Sequence, residues 1–248
     1  MPRDTGGMAR TVELLWGVRT PRGTRGPRPG LSVEAITRAA LAIADAEGLG
    51  AVSMQRVAKD LGYTTMSLYN YVPSKDQLVE LMIDAATPPP PVPEDGDGWR
   101  EEVEHWVRAT WDLYHAHRWV LKVPTVHAPL GPNQMAWFEA LLHGLSRGGL
   151  EGAEVMAVAQ HILASARGQA ALAIDLATGE DGATADFGEA MLRLATSDRF
   201  PTLHGLVAAA KPGGFDVGAE MYAGLRLGVR LLLDGVEGHV ERAAPSRP

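Results

Sequence analysis

The 248-residue sequence predicts an all-α protein: an N-terminal group of short helices, then a longer part that is helical throughout. Three observations carry this. Apolar residues recur at three- and four-residue spacing along most of the chain beyond Ser32, and no segment shows convincing β alternation. Serine or threonine stands at cap positions ahead of the early apolar runs. One proline run (Pro88, Pro89, Pro90, Pro91, then Pro93) divides the pattern and must end any helix entering it.

Residues 1–30 come first. Six arginines (Arg3, Arg10, Arg19, Arg22, Arg25 and Arg28) against Asp4 and Glu13 give this stretch a local excess of four positive charges. The whole chain stands at −7, so the remainder carries −11. Phosphate contacts depend on local potential rather than the molecular total, so a basic arm on an acidic body is compatible with nucleic acid, and equally with a solubilising tail. Repeated Gly, Pro and Arg predict a flexible basic arm that cannot sustain a helix, with only Val12-Glu13-Leu14-Leu15-Trp16 able to dock.

Residues 31–87 read as one small domain. Ser32 caps a first helix with Val33, Ile36, Ala40, Ile43 and Ala44 on one face, closed by Gly48. Ser53 caps a second, with Val57, Ala58 and Leu61 before Gly62. Thr64 or Thr65 starts a very short third through Leu68 to Tyr71. After Pro73, Ser74 and Gln77 have capping-box spacing and launch a fourth, with Leu78, Leu81, Met82 and Ala85 on its stripe. Residues 88–98 form a Pro/Gly-rich linker. Residues 99–241 form the second domain, with helices expected over 99–117, 134–147, 152–176, 189–196, about 203–210 and 217–240. A polar loop is expected over 178–186, and 242–248 is a tail.

The stretch 53–71 carries the functional signal. A helix-turn-helix needs a small residue where two helices cross, and Ala58 supplies it. It needs a residue tolerating positive φ in the turn, and Gly62 follows four positions later. It needs a shared apolar core, met by Val57, Leu61, Leu68 and the ring of Tyr71. Thr65, Met66, Ser67 and Asn70 are then short or flexible groups able to reach base edges in a major groove. Ser53, Gln55, Tyr69, Tyr71 and Lys75 can donate to phosphates, with partial burial the competing role for the two tyrosines.

With these residues in place the sequence resembles the TetR family of repressors. The Gly62-Tyr63-Thr64-Thr65-Met66-Ser67-Leu68-Tyr69-Asn70-Tyr71-Val72 run, then Ser74-Lys75-Asp76, looks like that family's recognition helix and the helix after it. Gly131-Pro132-Asn133-Gln134, Phe200-Pro201-Thr202-Leu203 and Leu231-Leu232-Leu233-Asp234-Gly235 look like a tetracycline-repressor-type C-terminal domain. The resemblance implies base reading by Thr65, Met66 and Ser67, and backbone clamping by Ser53, Tyr69, Tyr71 and Lys75. It implies an N-terminal helix-turn-helix three-helix domain followed by an all-helical ligand-binding and dimerisation domain.

Two further expectations follow from that resemblance. The helices near 152–176 and 217–240 pair with their symmetry mates in a homodimer. Their small residues (Ala153, Ala157, Ala164, Gly168, Ala171; Gly218, Gly224, Gly228) permit close approach, although packing within one chain would use them too. Trp106, Thr110, His127, Gln134, Trp137, Met156 and Ala164 align with ligand-binding positions, in a region holding four of the six tryptophans. Such residues also describe an ordinary core. Pro124 occupies the place of the tetracycline repressor's metal-binding histidine and Leu172 falls near its acidic residue, so a tetracycline–magnesium chelate is not expected.

No enzyme is predicted. There is no cysteine, no Gly-rich phosphate loop, no Gly-x-Ser-x-Gly elbow and no His-Glu-x-x-His pair. His115, His117, His127 and His161 lack a metal-ligand pattern, so neither metal nor cofactor is expected. No apolar stretch approaches the roughly 20 residues of a membrane span, and no signal sequence is read at the N-terminus. The expectation is a cytoplasmic, ligand-responsive repressor that binds double-stranded operator DNA as a homodimer and is released by a small, largely apolar effector. A helical ligand scaffold without a DNA role and an all-α enzyme of unknown reaction are the alternatives.

Overall fold

The computed structural model describes residues 5–17, 31–94, 96–124, 128–178, 193–194, 196–209 and 217–243. Among them every regular element is helical: α1 (Thr5–Leu15), α2 (Val33–Glu47), α3 (Met54–Leu61), α4 (Thr65–Tyr69), α5 (Lys75–Ala86), α6 (Trp99–Ala116), α7 (Pro132–Arg147), α8 (Ala153–Ala177), α9 (Pro201–Ala209) and α10 (Val217–Ala243). Short 3-10 turns cover Leu49–Ala51 and Arg118–Lys122. The helix expected over 189–196 and the loop over 178–186 fall almost wholly outside the described residues.

Local chemistry fixes the early helices. The hydroxyls of Ser32, Ser53 and Ser74 each accept from the backbone N–H three residues on, at 3.1 Å in all three cases, filling the role of the missing helical carbonyls. Gly48 closes α2 at φ 84°. The apolar stripe of α2 buries Ile36, Ala40, Ile43 and Ala44 against α3 and α5. The stripe on α5 is rotated from the expected one: Ala86 is buried and Ala85 is exposed, because the last turn faces α7 as well as α2.

The reading of residues 1–30 as unable to form a helix is corrected at its start. The helix breakers concentrate beyond Trp16, whereas residues 8–15 contain neither proline nor glycine and alternate polar with apolar at helical spacing. α1 packs on α5, buries Thr11 and Leu14, and ends where the Trp16 indole N–H donates to the Leu130 carbonyl at 3.0 Å. The docking surface on 12–16 is therefore the last turns of a helix.

The long helices form the other half of a continuous core. α6 packs on α7 and α8, and α8 lies along α10. Leu225, Val229, Leu233 and Val236 of α10 are buried at heptad-like intervals, while Arg100 bridges to Asp234 and Glu237 and Arg230 reaches Glu104 at 3.0 Å. Two aspartates tie the halves together. Asp45 on α2 accepts from the Trp119 indole at 2.7 Å and lies 2.7 Å from His117 Nδ1, and Asp84 on α5 meets the start of α7.

Candidate functional site

The helix-turn-helix is assembled by α3 and α4. Gly62 sits at φ 74°, ψ 26°, the left-handed region that an L side chain strains to enter. That turn lets the Tyr63 N–H reach the Ala58 carbonyl at 2.9 Å. Ala58 is 1% exposed at the crossing, and Val57 and Leu68 are fully buried beside it. Leu61 and Tyr71 pack against that core half-buried. The Thr64 hydroxyl caps α4 by accepting from the Ser67 N–H, and the Thr64 and Ser67 hydroxyls are 2.9 Å apart.

The predicted DNA-contacting residues fall around this unit. Met66 is exposed at 72%, with Tyr69 and Asn70 also on the surface of α4 or just after it. Thr65 and Ser67 are half-buried on the same short helix. Ser53 and Gln55 are exposed at the start of α3, and Lys75 is exposed in the first turn of α5. Tyr71 is half-buried, packed in part against the core.

Behind this unit lies an open-sided cavity of about 440 Å³, lined by α5, α6, α7, α8 and the segment around the second 3-10 turn. Its volume suits a small organic molecule. Trp106, Thr110, Gln134, Trp137 and Ala164 line it. Met156 does not: α8 presents Gln160, Leu163, Ala164 and Arg167 to the cavity, and Met156 lies one turn beyond its end, exposed. His127 lies outside the described residues.

The polar chemistry of the cavity is sparse and specific. The Trp106 indole donates to the Trp137 carbonyl at 2.7 Å, and the Trp137 indole donates to the Pro88 carbonyl. Both tryptophans therefore offer apolar ring surface with their N–H groups already occupied. Thr110 Oγ1 and Gln134 Nε2 are buried with no hydrogen-bond partner among the described residues. Leaving such groups unpaired costs about 1–3 kcal/mol each, so they favour a partner beyond the described residues.

Arg167 was not foreseen from the sequence. Its guanidinium donates to the carbonyls of Leu121 and Val123 at 3.0 and 2.7 Å, pinning the segment that closes one side. The signal was an arginine set in the middle of an Ala-rich apolar helix. Tyr114, buried beside it, has its phenol pKa raised by burial, which outweighs Arg167, so it presents a neutral hydroxyl. Among the described residues no group of three or more His, Asp or Glu could hold a metal ion.

A family model described as bacterial regulatory proteins, tetR family, matches residues 36–82, and one described as tetracyclin repressor-like, C-terminal domain, matches 92–240. The chain belongs to the TetR family. It is a TetR-family transcriptional regulator. It is similar to the HTH-type transcriptional repressor DrrR1 of Streptomyces coeruleorubidus, 37% identical over 256 residues, covering 98% of this chain and 91% of that protein. Its fold is similar to ActR of Streptomyces coelicolor in complex with actinorhodin, with TM-score 0.74, 28% identity, and coverage of 88% of this chain and all of that one. Apo ActR matches with TM-score 0.70 at the same identity.

No helix among the described residues is long and apolar enough to cross a membrane. α8 and α10 also leave an apolar outer surface. Leu172, Leu176, Leu227 and Leu231 are exposed, and a Cβ on Gly168, Gly224 or Gly228 would meet open space.

Proposed function

We propose that this TetR-family regulator is a repressor that binds a pseudo-palindromic operator as a homodimer and releases it when a small, largely apolar effector enters the cavity. The observation that carries this reading is the pair of buried groups, Thr110 Oγ1 and Gln134 Nε2, that have no partner among the described residues, in a tryptophan-lined cavity whose wall includes α5. α5 packs on α2, the helix against which α3 of the helix-turn-helix rests. The apolar outer surface of α8 and α10 supplies a dimer face, with two reading heads one helical turn or a multiple apart. Likeness to a repressor and to a regulator crystallised with actinorhodin supports the same direction.

The effector would pair with Thr110 and Gln134 and stack on Trp106 and Trp137. Whatever factor it takes from operator affinity, the operator takes from effector affinity. The deciding experiment is selection of duplexes from a randomised pool, with the affinity of the winners followed against salt. An enriched pseudo-palindrome with a steep salt slope is expected; no enrichment even at low salt would leave a ligand scaffold instead. On the selected duplex, Lys75→Ala should weaken matched and mismatched sites alike and flatten the salt slope by about one. Thr65→Ala should instead relax preference at a single base step; if preference stays as it was, Thr65 reads no base.

A further inference from the structure

Asp84 is a buried acid on α5, 6% exposed, and neither the base-reading surface nor the cavity lining uses it. α7 begins at Gly131, whose own side chain can cap nothing. Asp84 Oδ1 fills that role from another helix, accepting from the Gln134 N–H at 3.0 Å. Asn133 answers by donating its side-chain amide to the Asp84 carbonyl at 2.9 Å. The two helices therefore grip one another by a reciprocal pair of bonds.

Gly131 is part of the same arrangement. Its φ of −86° is open to any residue, so backbone freedom does not require glycine there. A Cβ would, however, collide with the Asp84 carboxylate. The missing side chain is what lets the carboxylate lie on the first turn of α7. Burial raises the carboxyl pKa while the backbone N–H groups of Gln134 and Asn133 oppose that rise.

Gln134 faces both ways: its backbone N–H is held by Asp84, and its side-chain Nε2 lies in the cavity wall with no partner among the described residues. We infer that Asp84 is the positioning residue that latches the cavity wall to the reading head. The first turn of α7 is the part that moves with the cavity's occupant, and the Asp84 cap passes that movement to α5. This rests on the proposed repressor reading for its purpose, but the latch is mechanical and has its own test.

That test compares Asp84→Ala, Gly131→Ala and Asp84→Asn in the full chain by amide hydrogen exchange, without DNA. Asp84→Ala removes the acceptor, Gly131→Ala keeps it but pushes it off Gln134, and Asp84→Asn keeps both acceptor and position. The first two should speed exchange at residues 134–137, along α5 and in α3–α4 by tenfold or more, leaving the centres of α6 and α8 unchanged. Asp84→Asn should restore the wild-type pattern. Acceleration confined to α7 would mean that the cap does not reach the reading head, and acceleration everywhere would make Asp84 a core residue only. Either overturns the latch.

On the duplex selected with the wild-type chain, Asp84→Ala and Gly131→Ala should bind at least tenfold more weakly and Asp84→Asn normally. Unchanged affinity in the first two also overturns it. If the wild-type chain selects no duplex, the repressor reading fails while the exchange pattern still decides the latch.

Discussion

A chain carrying Leu227→Glu and Leu231→Glu is expected to sediment as a 26.5 kDa monomer and to lose operator affinity by about 100-fold or more. Both leucines stand about 60% exposed, one turn apart on α10, beside glycines that leave room for a second backbone. Burial of each is worth about 1.5–3 kcal/mol, and a two-fold axis counts each twice. Glutamate removes that gain and sets like charges against one another across the axis. The core of the monomer is not touched, because Leu225, Val229 and Leu233 point the other way. Sedimentation velocity and operator titration of the same preparation read both consequences. A dimeric variant with full affinity would place the subunit contact elsewhere.

Leu68→Ala should have the largest effect within the reading head. α4 has five residues and cannot hold itself as a helix, so its position comes from the side chain it buries. Leu68 is fully buried against the α3 core. Truncation there costs about 2–5 kcal/mol, a fall in Tm of roughly 5–15 °C for a chain of this size, with operator binding lost in parallel. Met66→Ala on the same helix is the contrast: at 72% exposure it should leave melting unchanged and alter only DNA binding. A Leu68→Ala chain that melts and binds as wild type would show that α4 is positioned by something other than this contact.

These two variants also mark how far the sequence could be read. The helix-turn-helix was legible because its determinants are local: Ser53, Gly62 and Ser74 act on backbone three or four residues away, and Ala58 and Leu68 lie within one short stretch. The long helices, α8 of 25 residues and α10 of 27, were legible from apolar spacing alone, though their small residues would serve packing within one chain as well as against a second.

What depends on distant partners was not legible. α1 is stabilised by α5, more than sixty residues on, and its own residues 5–7 include two glycines that argue against a helix. Asp84 appeared as one polar residue near the end of an apolar stripe, and its partner Gly131 as a helix opener 47 positions later. Trp106, Thr110, Gln134, Trp137 and Ala164 do line one cavity. Met156 lies on α8 with Ala164 but falls one turn outside the cavity, a distinction that spacing cannot make. Arg167 announced itself only as a charge out of place.

The Thr110 Oγ1 and Gln134 Nε2 atoms, without partners among the described residues, have a consequence for how the effector could be found. A protein that keeps a cavity with unsatisfied polar groups forgoes stability, and a molecule that satisfies them returns it in a form heat can measure. At a free concentration a hundred times its Kd, such a molecule adds about 2.7 kcal/mol, a rise in melting temperature of roughly 5–10 °C. Compounds can therefore be ranked by thermal shift on the purified chain alone, before any operator or regulated gene is known.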